Sequence, residues 1–256
     1  MRIFNASMLC LSALCLALAT QSTALGQYGT IKGQVVWGGA QVPELPPKVK
    51  AGENVKDAQV CATEPVPDES LVVDPDSKGV KYCLVYLVRP KGDNPDKAEQ
   101  LLADEPQVVI DQQGCKFVPH LVAMHEKQQA LFKSSDPVAH NVRLQGFTNS
   151  VNFMLPAKGE LPRPLSAERR PMPMACDIHP WMQGYVMVFD HPFFAVTDEQ
   201  GNFEIDGVPA GEQSVVVWHE KVGYVTEGLA RGQSVTVEDG KDASLGPVTL
   251  DPSKVR

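Results

Sequence analysis

Hydrophobic and polar residues alternate with a period of two in several separate stretches of this chain, and a sustained helical period is scarce. Gly29 to Trp37 reads as a half-buried strand that Gly38-Gly39 ends, and Tyr82 to Val88 is apolar enough for a buried strand. Between them, from Pro43 to about Ser70, Pro, Glu, Lys and Asp dominate without a period, which predicts a long surface excursion tied down by Cys61. Pro95 to Ala103 suits a short helix capped by Asp96, with Ala98, Leu101 and Leu102 on one face.

A second group of strands is expected at Gln107 to Asp111, Phe117 to Met124, Ala130 to Ser134 and Val142 to Leu144. Gln-Gln-Gly, Glu-Lys-Gln and Ser-Asp-Pro breaks separate them. Asn149 to Pro173 is proline-rich and reads as irregular, a strand then enters Cys176, and Gly184 to Phe189 leaves it. Phe193 to Ile205 is a hairpin turning at Asp198 to Asn202, followed by Gly207 to Gly211 and a strand from Ser214 to Trp218. The class expected is all-β, built as sandwiches with Greek-key spacing.

The N-terminus changes the setting. Met1-Arg2, an apolar run from Met8 to Ala19 and the small residues Ala24-Leu25-Gly26 form the pattern of a secretory signal peptide over residues 1–26. Cys10 and Cys15 within it lack the small residue before them that a lipid anchor would want. No later segment has the roughly 20 apolar residues of a membrane span, so a soluble periplasmic or secreted protein is expected. The formal charge of -8 becomes -9 without Arg2, which argues against nucleic-acid binding. About 230 residues suit one large or two small domains.

Cys176-Asp-Ile-His179-Pro-Trp-Met182 places a thiolate, an imidazole and a thioether three residues apart on one loop stiffened by Pro180. Soft sulfur favours Cu(I) and imidazole holds Cu(II), so this donor set selects a single copper ion, given one further nitrogen. His140, in Asp136-Pro-Val-Ala-His140-Asn-Val, can supply it. As the bland alternative, Cys176 pairs in a disulfide like other exported cysteines.

The loop resembles that of the cupredoxins, and its spacing is closest to the amicyanin type. Over residues of about 105 to 190 the resemblance implies a Greek-key blue-copper sandwich with ligands His140, Cys176, His179 and Met182. It also implies that Asn141 links the two ligand loops by hydrogen bonding, and that the edge of His179 lies exposed in an apolar electron-transfer patch. Pro180, Trp181 and Met154 are the candidates for that patch. With Cys176 a ligand, Cys61, Cys83 and Cys115 remain; Cys83 reads as a buried strand thiol, leaving Cys61 with Cys115 as the disulfide. Met172, Met174 and Met187 compete with Met182 but lie off the loop. His120, His125, His191 and His219 read as structural or exposed.

The flanks carry a second resemblance. The opening strand at Gly29, Thr197-Asp198-Glu-Gln-Gly201-Asn-Phe203 and Pro209-Ala210-Gly211 are similar to the carboxypeptidase regulatory-like, or transthyretin-like, family. That implies a β-sandwich of residues 27–95 and 190–256 hosting a cupredoxin domain of 96–189 as an insertion, with two sequential domains as the alternative.

Function classes follow from the site. A single such copper fits an exported one-electron carrier whose partner is a redox protein such as a cytochrome or oxidoreductase. Ala175 and Asp177 beside Cys176 offer no histidine to a second copper, and paired His-x-His motifs are absent, which argues against an enzyme. The rivals are an adhesion or carbohydrate-binding sandwich with a vestigial metal site, and copper storage or delivery.

Overall fold

A computed structural model describes residues 27–256, so the expected signal peptide lies outside the described residues. In chain order the first half contains β1 (Tyr28–Trp37), α1 (Ala58–Cys61), β2 (Leu84–Leu87), α2 (Pro95–Asp104), β3 (Gln107–Gln112), β4 (Phe117–Val118), β5 (Leu121–His125) and β6 (Gln129–Ser134). Next come β7 (His140–Gln145), β8 (Ser150–Leu155), β9 (Glu160–Pro164), β10 (Met172–Ala175) and β11 (Gln183–Phe189). The last part holds β12 (Phe194–Val196), β13 (Asn202–Pro209), β14 (Gly211–His219), β15 (Gly223–Tyr224), β16 (Gln233–Val237) and β17 (Asp242–Leu250). The protein is an all-β sandwich, as its alternating pattern requires.

The strands form four sheets stacked face to face. The outermost, β13-β1-β17, packs Ile31, Val35, Phe203, Ile205 and Val248 onto the inner face of β12-β2-β14-β15 with β16, through Val85, Leu87, Val215 and Val217. The other face of that second sheet presents Leu84, Tyr86 and Val216 to Leu121, Met187 and Phe189 of the third sheet, β5-β11-β10-β7-β8. The opposite face of the third sheet carries Val122, Met124, Val142, Leu144, Val186 and Val188 onto Ile110, Phe117 and Phe132 of the fourth, β4-β3-β6-β9. Successive residues point to opposite faces of a strand. Leu84 to Leu87 is therefore apolar throughout, because both faces of β2 are covered. The half-buried β1 alternates instead.

Several expected elements change at their edges. Asn94, not Asp96, caps α2: its Oδ1 accepts the Lys97 N–H at 3.1 Å while its Nδ2 donates to the Gly207 carbonyl at 2.8 Å. Pro119 divides the expected strand Phe117 to Met124 into β4 and β5, since proline offers no N–H to a ladder. The stretch 149–173, expected to be irregular, contains β8, β9 and the start of β10. β8 and β9 are edge strands, where prolines such as Pro162 and Pro164 are tolerated. The carboxy-terminal β17 runs parallel to β1, and a register shift opposite Gly33 accommodates Gly246-Pro247.

The excursion from residue 43 to 70 does not lie on its own half of the chain. Cys61, at the end of α1, is bonded to Cys115 with a Cα–Cα distance of 5.3 Å. Val49, Ala62 and Val66 form a small core against Trp181. The segment is thereby fastened over the loop between β10 and β11.

Candidate metal centre

Three buried side chains converge. Cys176 follows β10, His179 lies within the loop, and His140 is the first residue of β7, which pairs with β10 through Ala175 and Arg143. Their donor atoms all lie within 4.8 Å of one another. His140 Nδ1 faces His179 Nδ1 at 2.9 Å, and Cys176 Sγ is 3.8 Å from the same His179 nitrogen. The loop is a closed turn: the Met182 N–H donates to the His179 carbonyl at 2.9 Å, and the Cys176 N–H to the Met182 carbonyl at 3.2 Å. Met182 is buried in the same core as Cys176. Met172 and Met174 are also buried there, but on β10, and Met187 faces the neighbouring sheet.

Each imidazole is held from behind by a carboxylate. His140 Nε2 lies 2.9 Å from Asp136 Oδ2, and His179 Nε2 lies 2.9 Å from Asp57 Oδ2. With both outer nitrogens engaged, the nitrogens turned towards the thiol are the Nδ1 atoms. Asp136 also accepts the Gly114 and Cys115 N–H groups at 2.7 and 2.9 Å. Burial opposes its charge, but His140 and these two backbone donors hold its carboxyl below the usual carboxylate range.

The same competition acts on the other groups. Burial would lower the His140 pKa, yet the partners Asp136 and Cys176 raise it to about 9 in the metal-free protein. Burial would raise the Cys176 thiol, but hydrogen bonding with His140 and His179 brings it down to about 6. A thiol so placed is readily deprotonated, and the thiolate is the metal-binding form of cysteine. By contrast, burial pushes Cys83, the other free cysteine among the described residues, up to about 12.

Asn141 joins the two loops. Its Oδ1 accepts the Asp177 N–H at 2.6 Å, and its Nδ2 donates to Asn152 Oδ1 at 2.8 Å and to Asp177 Oδ2 at 3.1 Å. Arg143 Nε completes the cluster by donating to Asp177 Oδ1 at 2.7 Å.

The expected exposure of the His179 edge is overturned. His179 is 0% exposed, because Asp57 and its segment stand where an apolar patch was expected. Trp181 is half-buried with its ring 5.2 Å from that of His179, its Nε1 donates to the Cys115 carbonyl, and Pro180 is exposed beside it. Met154 is exposed and pairs in register with Asn141. Of the remaining histidines, His120 pairs with Glu220 across the two central sheets, and His219 is buried.

Asp57 had no signal in the sequence, since it lies 122 residues from His179 within a stretch that lacks periodicity. Asp136 was legible in principle, four residues before His140 in the same short segment.

The structure is similar to solved chains of amicyanin. One, a variant in its reduced Cu(I) form at pH 4, aligns over 32% of this chain and 82% of its own, at 17% identity and a TM-score of 0.29. A second reduced variant aligns over 33% and 83%, at 17% identity and a TM-score of 0.30. A Cu-containing nitrite reductase from Thermus scotoductus SA-01 aligns over 32% of this chain and 22% of its own, at 17% identity and a TM-score of 0.29. No family model matches the chain, and no curated protein matches it significantly.

Proposed function

We propose that this chain is an exported type 1 copper protein that carries single electrons between redox partners. The observation that supports this most strongly is the buried convergence of one thiol and two imidazoles, with their free nitrogens turned inward. That donor set fits copper: His140 Nδ1, Cys176 Sγ and His179 Nδ1 would hold the ion, with Met182 as the weak fourth donor from the same loop. When bound, copper supplies a one-electron couple between Cu(II) and Cu(I). The residues of the chain orient the ligands through Asp57 and Asp136, lock the two loops through Asn141, and exclude water by burial. Such a rigid, closed arrangement favours electron transfer over release of the metal.

The proposed role is a carrier and not an enzyme. The disulfide between Cys61 and Cys115 suits an oxidising compartment, in keeping with a periplasmic or secreted location. A partner such as a cytochrome or oxidoreductase would meet the surface at Pro180 and Trp181, and the acidic balance of the chain favours a basic contact face. Among the described residues no helix is long and apolar enough to cross a membrane. The test is an absorption spectrum of purified protein titrated with Cu(II). One equivalent should produce an intense visible sulfur-to-copper band that Cys176→Ser abolishes. A protein that stays colourless refutes the proposal.

A further inference from the structure

Asp57 occupies the N-cap position of α1, yet its side chain accepts no hydrogen bond from that helix. Aspartate at this position ordinarily satisfies one of the unpaired amides of the first turn. Here the backbone takes a left-handed conformation, with φ of 55°, which costs a non-glycine residue on the order of 1 kcal/mol or more. The carboxylate instead crosses to His179 Nε2 at 2.9 Å. Local helix formation gives no reason for this geometry, whereas the histidine does.

The fastening of the segment points the same way. Four residues after Asp57, Cys61 is bonded to Cys115, and the N–H of Cys115 donates to the same Asp136 oxygen that holds His140. One covalent link therefore joins the supports of both imidazoles. The cross-link places Asp57 beside a histidine 122 residues away that has no exposed surface.

We infer that Asp57 is a positioning residue for the metal centre: it fixes the His179 ring with Nδ1 directed at Cys176 and His140, closes the outer edge of the ring, and biases the site towards the oxidised ion by placing an anion behind a ligand. The inference rests on the copper reading above. A carboxylate bonded to a ligating imidazole makes that ligand more electron-donating, and loss of such a partner typically changes metal affinity 10–100-fold. An anion favours Cu(II) over Cu(I), so removing it raises the reduction potential. A tenfold change in the ratio of the two affinities corresponds to about 59 mV for one electron.

Asp57→Asn keeps an oxygen that can accept the Nε2 proton but loses the charge, whereas Asp57→Ala loses both. Two measurements separate these effects. In the metal-free proteins, nitrogen–proton NMR of the imidazoles should show a His179 Nε2 proton protected from exchange in the parent and in Asp57→Asn, and lost in Asp57→Ala. In the copper-loaded proteins, voltammetry should show the potential raised by about 59 mV or more in both variants, the value set by a tenfold ratio. A protected proton that persists in Asp57→Ala, or potentials that stay at the parent value in both variants, overturns the inference while leaving the copper reading intact. A parent protein that takes up no copper overturns both.

Discussion

Replacing both Cys61 and Cys115 by alanine tests how the long excursion is held on the rest of the fold. The two cysteines are separated by 54 positions. For a closed loop of that length the chain-entropy relation gives roughly 14 cal/mol/K, about 4 kcal/mol at 25 °C, of destabilisation of the unfolded state that the variant loses. Both sulfurs are buried, and their removal should add on the order of 1 kcal/mol from the space left behind. Alanine is preferable to serine, because a buried hydroxyl without a partner would add a cost of its own. The assay is urea unfolding of metal-free protein followed by tryptophan fluorescence. Trp181, whose Nε1 donates to the Cys115 carbonyl at 3.1 Å, reports on this region directly. The stability should fall by about 4–5 kcal/mol, and the urea slope should increase because an unlinked chain exposes more surface. Unfolding the unaltered protein with a reductant present should give the chain-entropy part without the lost volume. A change below about 1 kcal/mol with an unaltered slope would refute the claim that the cross-link constrains this loop in the unfolded chain.

His219 is buried, and burial first, then the nearby His120 and Lys221, lowers its pKa to about 4, so the folded protein holds it neutral. The unfolded chain binds that proton more readily, so this stability is full above about pH 6.5 and is lost as pH falls towards 4, roughly 3 kcal/mol in all. His219→Asn keeps an acceptor for the Lys221 N–H, and urea midpoints at pH 7 and 4.5 should differ less in that variant than in the parent. Val216 lies between the two central sheets with 0% exposure; Val216→Asp should cost at least about 3 kcal/mol by burying an unpaired carboxylate, measured by the same unfolding at pH 7. Gly201 has φ of 75°, and a Cβ there would lie 2.2 Å from the Val35 carbonyl oxygen. Gly201→Ala should lower stability by about 2 kcal/mol or more, visible as a drop in thermal midpoint.

The strands that were legible are those whose burial differs between faces or is complete. Gly29 to Trp37 alternates because one face of β1 meets the core, and Tyr82 to Val88 is continuously apolar because β2 has a sheet on each side. β8 and β9 were not legible because they are edges and largely solvated, and β9 carries two prolines; their partners supply the order that their own residues do not announce. β17 runs parallel to β1 through Gly246-Pro247, where the register shifts and the strand continues.

The candidate site divides along the same line. A donor spacing is local, so three residues of Cys176-Asp-Ile-His179-Pro-Trp-Met182 announce a site within seven positions, and the β7–β10 pairing then brings His140 to it. A carboxylate that holds a candidate ligand need obey no spacing. Asp57 reaches His179 because a disulfide and a small apolar core of Val49, Ala62 and Val66 hold its segment there, and neither contact has a period to detect. The consequence is functional. The resemblance of the loop implied a histidine edge open to a partner, whereas the polar excursion 43–70 covers that edge with Asp57 and leaves Asp177 and Pro180 as the exposed residues of the loop, with Ile178 and Trp181 half-buried.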